Sequence, residues 1–158
     1  MPTSIQVQRV ASRHLAVVRC RAASSELATV VPAACGRVWS FIRSQQIPGA
    51  GRHVAVYFDG QINLEVGVEL DGPFLEQGEV VNSSTPSGLV ASTTHYGPYH
   101  KLASAHTAIR DFCESGGHSL AGPCWEIYGH WQNEWNDNPD QITTDVYYLL
   151  SDDGSTSA

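Results

Sequence analysis

Polar and apolar residues alternate with period two in several stretches of this chain and take a helical spacing in two others. Residues 4–10 (SIQVQRV) put Ile5 and Val7 on one face and predict a half-buried strand; residues 14–22 (HLAVVRCRA) predict a second. From about 31 to 46, Val31, Ala34, Cys35, Val38, Phe41 and Ile42 recur at i, i+3, i+4, i+7, the stripe of an amphipathic helix, with Pro32 in its first turn and IPGAG at 47–51 breaking it. Residues 52–58 (RHVAVYF) predict a strand, Asp59-Gly60 a hairpin turn, and 61–70 (QINLEVGVEL) a strand with Ile62, Leu64, Val66, Val68 and Leu70 on one face.

The order then recurs. Residues 79–84 and 88–96 predict strands, and Gly97-Pro98 opens a helix from about 99 to 114. Its stripe is Leu102, Ala105, His106, Ile109, Phe112 and Cys113, and Gly116-Gly117 ends it. Strands at 123–131 and 142–150 follow, separated by the polar loop QNEWNDNPDQ; 151–158 is a small, polar tail expected to fray. Phe41 precedes Tyr57 by 16 residues, as Phe112 precedes Tyr128. At that offset of 71, Val38 meets Ile109, Val54 meets Trp125 and Val56 meets Ile127. The pattern predicts an α+β fold: a duplicated β-β-α-β-β module spanning 1–150, with repeats at about 4–70 and 79–150. Antiparallel sheets would carry two helices on one face and leave a ligand cleft on the other. One repeat of about 75 residues would be marginal alone.

Period two also sorts the chemistry. With Trp125 and Ile127 assigned to the helix side, as their mates Val54 and Val56 are, Glu126 and Tyr128 point away from the helices. With Val146, Tyr148 and Leu150 on the helix side, Asp145 and Tyr147 join Glu126, as does Glu65 from the first repeat. The expected cleft is lined by Tyr57, Tyr128 and Tyr147 around Glu126, with Trp131 and Trp135 at its rim. Aromatic faces attract a cation and a poorly solvated carboxylate supplies its counter-charge, so this set suits a lipophilic cation. An acid on the wet face of a half-buried sheet is the plainer alternative.

Composition narrows the choice. The 158 residues are 42% hydrophobic and 16% charged, enough apolar content for a core. Sixteen acidic against nine basic residues, a net charge of −7, disfavour a direct nucleic-acid binder. No apolar run is long enough to span a membrane and no secretory signal opens the chain. Cys20, Cys35, Cys113 and Cys124 form no C-x-x-C pair, so reduced structural thiols and a cytoplasmic location are expected. The seven histidines show no zinc spacing, and His106, inside the apolar stripe, reads as a hydrogen-bonded core residue rather than a ligand. No metal or cofactor is expected.

The segments HYGPYHKLASAHTAIRDFCESGG, PCWEIYGHW and ITTDVYYLL resemble the GyrI-like small-molecule-binding family. That family includes effector-binding domains of AraC-type and MerR-type multidrug regulators and stand-alone gyrase-inhibitory proteins. Gly97, Gly117, Glu126, Tyr128, Asp145 and Tyr147 match its positions. The resemblance implies a duplicated fold and makes Glu126 the pocket carboxylate for cationic or polar ligands. No helix-turn-helix region precedes Ile5, so the expectation is a stand-alone module that senses or sequesters amphipathic, cationic, aromatic small molecules. Two alternatives stay open. Some members resemble hydrolases that open the strained cyclopropane ring of DNA-alkylating compounds; there Glu126 would activate water and Tyr128 or Tyr147 would hold the developing charge. The third is a protein-binding module of the gyrase-inhibitor kind.

Overall fold

A computed structural model describes residues 4–59, 63–130 and 132–151. Its elements are β1 (Gln6–Val10), β2 (His14–Arg21), α1 (Leu27–Ser44), β3 (His53–Asp59), β4 (Asn63–Leu70), β5 (Val81–Ser84), β6 (Gly88–Tyr96), α2 (Ala103–Gly116), β7 (Leu120–Tyr128) and β8 (Thr143–Leu150), with 3-10 turns at Ser24–Glu26, Tyr99–Lys101, Asn133–Asn136 and Pro139–Gln141. The fold is α+β, and the strand pairs within each unit are antiparallel. The Asp59-Gly60 turn signal, Ile62, Trp131 and most of the polar tail fall at or beyond the edge of the described residues.

Two compact units divide the chain: Ser12–Pro86, and Met1–Ala11 together with Ser87–Ala158. In the first, the strand order is β3-β4-β2-β5 and α1 packs on β4 and β2. In the second, the order is β1-β6-β8-β7 and α2 packs on β6 and β8. The units therefore differ from the repeats expected at 4–70 and 79–150. β1 pairs with β6, Gln6 opposite Ser92, rather than with its sequence neighbours. β5, expected to open the second repeat, pairs with β2 instead, His14 opposite Ser84. Alternation tells that a strand has two faces; it carries no information about which edge the strand joins.

Helix α1 begins earlier than its apolar stripe. The Ala23 N–H donates to the Glu26 carboxylate at 2.9 Å, the reach-back of a capping box, and starts the winding at Ser24. Pro32 therefore sits inside the helix, not in its first turn, and has no N–H to give the Ala28 carbonyl the usual i→i−4 bond. Helix α2 ends as expected, on Gly117 with φ 75°, whose N–H closes on the Cys113 carbonyl. In the Ser12–Pro86 unit, Ala34, Val38 and Ile42 of α1 are buried, as are Leu15 to Val18 of β2 on both faces of the sheet. A Cβ on Gly67 of β4 would fall 1.7 Å from the Ala16 carbonyl oxygen, so only glycine lets β4 lie against β2 here.

A candidate carboxylate site under helix α2

The face assignment of β7 made from the sequence is inverted. His106 on α2 reaches Glu126 through Nε2 at 2.6 Å, so Glu126 points toward the helix, and Cys124 and Tyr128 with it. Trp125 and Ile127 lie on the opposite face. The same inversion holds in the other unit: the Trp39 ring of α1 meets the His53 ring at 5.8 Å, which turns His53, Ala55 and Tyr57 toward α1. The cause is burial on both faces. Val54 to Tyr57 and Cys124 to Ile127 are all buried, and a strand buried on both sides gives no signal about which side holds the helix.

Glu126 is 5% exposed. The Tyr128 hydroxyl donates to its Oε1 at 2.5 Å and the His106 Nε2–H to its Oε2 at 2.6 Å. His106 Nδ1 lies 2.7 Å from the Tyr148 hydroxyl, and Arg110 Nη1 donates to the same hydroxyl at 2.9 Å. Arginine can only donate, so the Tyr148 oxygen accepts from it and its own proton is available to His106 Nδ1. That order leaves Nε2 carrying the proton given to Glu126. Arg110, Tyr148 and His106 thus hand donors on to Glu126 Oε2 while Tyr128 donates to Oε1, so the hydrogen-bond chain across α2, β8 and β7 converges on one carboxylate. His106 and Arg110 are one helical turn apart on α2, which brings both over the sheet. Burial raises the Cys124 thiol to about 11, with the Glu126 charge adding to the rise and the Arg110 charge opposing it. Burial also raises the Tyr148 phenol, with Cys124 adding to the rise and Arg110 opposing it.

The remaining candidates do not gather around Glu126. Asp145 and Tyr147 lie on the face of β8 away from α2; Tyr147 stacks on Trp125, ring centres 5.2 Å apart and planes at 11°. Asp145 accepts from the Thr94 hydroxyl at 2.7 Å. Trp135 is not a rim residue: it is buried beside Gly129, whose missing side chain leaves room for its ring. Tyr57 and Glu65 belong to the Ser12–Pro86 unit. Glu65 is buried on the face away from α1 and bonded to the Ser83 hydroxyl at 2.5 Å and to Nε of the exposed Arg19 at 3.1 Å. Trp131 lies outside the described residues.

Sequence reasoning missed three members of the chain. His106 was legible as a bonded core histidine, and it is buried and bonded on both nitrogens. Its partner was concealed by the inverted face of β7. Tyr148 was correctly placed on the helix side without a role, and Arg110, four residues after His106, was passed over. Tyr99, in the turn before α2, meets the Tyr128 ring edge-on at 5.8 Å. Among the described residues, no group of three or more His, Cys, Asp or Glu is placed to hold a metal ion.

Residues 3–150 match the GyrI-like family, described as a GyrI-like small molecule binding domain. The chain belongs to that family. No curated protein matches it. Among solved structures, the EcmrR C-terminal domain superposes with a TM-score of 0.72 at 17% identity, over 96% of this chain and 99% of that one. SAV2435 bound to tetraphenylphosphonium gives 0.61 at 11% identity, over 94% of each chain. A hydrolase from Listeria innocua gives 0.58 at 12%, over 93% of this chain and 91% of that one. At these identities the structural likeness establishes the shared fold.

Proposed function

We propose that this GyrI-like domain binds amphipathic, aromatic, cationic small molecules, and that Glu126 is the group that recognises their charge. The observation that carries the reading is a 5% exposed carboxylate held by a phenol and an imidazole, with the Tyr128–Tyr99 ring pair beside it. Burying a carboxylate is costly, and the cost is met here by hydrogen bonds that an incoming cation can replace with a full charge. Tyr128 is partly exposed and Tyr99 more so, so the cation enters past this pair and takes the Tyr128 hydroxyl's place on Oε1. His106, held in turn by Tyr148, keeps Oε2 and fixes the carboxylate. The rings then face the desolvated apolar body of the ligand and add cation–π attraction. The structure of SAV2435 with tetraphenylphosphonium, a permanent aromatic cation, supports this ligand chemistry within the fold. Among the described residues, no helix is long and apolar enough to cross a membrane. The four cysteines are free thiols, which supports a reducing compartment such as the cytoplasm. The test is tryptophan fluorescence titration with tetraphenylphosphonium and with tetraphenylborate, the anion of the same shape. Saturable quenching by the cation alone is expected; equal binding of both ions would overturn the reading.

One contact favours a second reading, hydrolysis of a strained cyclopropane. A buried carboxylate oriented by an imidazole N–H is a group that can take a proton from water. Water would add its oxygen to the ring carbon, Glu126 would accept its proton, and the breaking ring bond's electrons would pass to the conjugated carbonyl. The Listeria innocua hydrolase shares the fold. Appearance of ring-opened product, lost in Glu126→Gln, separates this reading from simple binding.

A further inference from the structure

Asp145 and Tyr147 have no part in the Glu126 site, yet they line a cavity of about 960 Å³ within their own unit. It begins on the face of the sheet away from α2, where Gln6, Ser92 and Tyr147 are adjacent on β1, β6 and β8. Thr94 and Asp145 form the next cross-strand pair. β1 stops pairing at Gln6 while β6 runs on to Tyr96, so the cavity continues round that edge to Ser104 at the start of α2.

The lining is unlike that of a site for an aromatic cation. Ala105 is its one side chain without a polar group, and no lysine or arginine is among the lining residues. An apolar ligand would leave these amides and hydroxyls unpaired, at a cost in affinity for each. An anion would meet the Asp145 carboxylate with no lysine or arginine in the lining to hold it. A polyhydroxylated ring answers both problems. Its hydroxyls pair with Gln6, Gln8 and the serine and threonine hydroxyls, and its C–H face lies on Tyr147, which the stack on Trp125 holds rigid. An amine on such a ring would find the Asp145 carboxylate, which the Thr94 hydroxyl already orients.

We infer that this cavity is a second small-molecule site, separate from Glu126, for a sugar-like polyol, with Asp145 selecting the amine-bearing form. The test is NMR titration of the isotope-labelled full chain with methyl glucoside and with glucosamine. Amide shifts confined to β1, β6 and β8 are expected with both. Asp145→Asn preserves shape and the Thr94 bond; it should weaken glucosamine about tenfold, the scale of one charge-assisted contact, and leave methyl glucoside unchanged. Glu126→Gln should alter neither. No shifts with either sugar, shifts centred on Glu126 and His106, or equal weakening of both sugars by Asp145→Asn would each overturn the inference.

Discussion

Replacing His106 by alanine probes the chain of hydrogen bonds that holds Glu126. The change removes the donor to Oε2 at 2.6 Å and the partner of Tyr148 at 2.7 Å, both in a region closed to water. A hydrogen bond to a charged group contributes about 1.5–3 kcal/mol and a neutral one about 1 kcal/mol, and the vacated ring volume adds to the loss. The sum is about 3–5 kcal/mol, a large part of the stability of a domain this size. Urea unfolding followed by far-UV circular dichroism measures it directly. Heating should show a fall in Tm of about 10 °C. His106→Gln, which keeps an N–H near Oε2, should recover part of the loss. A double-mutant cycle with Glu126→Gln should return a coupling of about 1.5–3 kcal/mol. If His106→Ala unfolds within about 1 kcal/mol of the parent, on the scale of an ordinary surface change, the buried chain does not hold the carboxylate as described.

Other consequences follow from single contacts. Tyr128→Phe removes the hydroxyl bonded to Oε1, which on the proposed reading competes with the ligand; affinity for tetraphenylphosphonium, read by fluorescence titration, should rise about two- to tenfold, the value of one hydrogen bond. Under the hydrolytic reading the same variant should lose rate instead. Gly67→Ala drives a methyl into the Ala16 carbonyl and should prevent folding or cost several kcal/mol by urea unfolding, whereas Gly36→Ala, with open space around its Cβ, should be neutral or stabilising. Stability should fall at alkaline pH. The folded chain holds the Cys35 and Cys124 protons up to about 12 and about 11, above the ordinary 9.0, so their contribution is complete below pH 9.0 and is lost as pH rises through the folded values. Urea midpoints between pH 8 and 11 check this, and a Cys35→Ala/Cys124→Ala variant should show a shallower decline.

The elements and their order were legible because period-two and helical spacing are written locally, as in 88–96 and in the α2 stripe from Leu102 to Cys113. The family was legible from Glu126, Tyr128, Asp145 and Tyr147 with their flanking glycines. Two things were not. The exchange of β1 and β5 between units depends on edge pairing, which leaves no periodic mark on SIQVQRV or on 79–84. The orientation of β7 depends on what covers each face, and with Trp125 and Glu126 both buried the bulkier apolar set was assigned to the helix. That one inversion separated Glu126 from His106, although a polar His106 within the apolar α2 stripe was a sign of a polar partner beneath the helix.

On the proposed reading, one buried acid, Glu126, recognises the ligand's charge. Calorimetric titration of tetraphenylphosphonium into the parent and Glu126→Gln measures it, with the variant's urea midpoint confirming that it is folded. Affinity lower by about tenfold or more in the folded variant is the expected result. Equal affinity in the two proteins would place charge recognition elsewhere and contradict the claim.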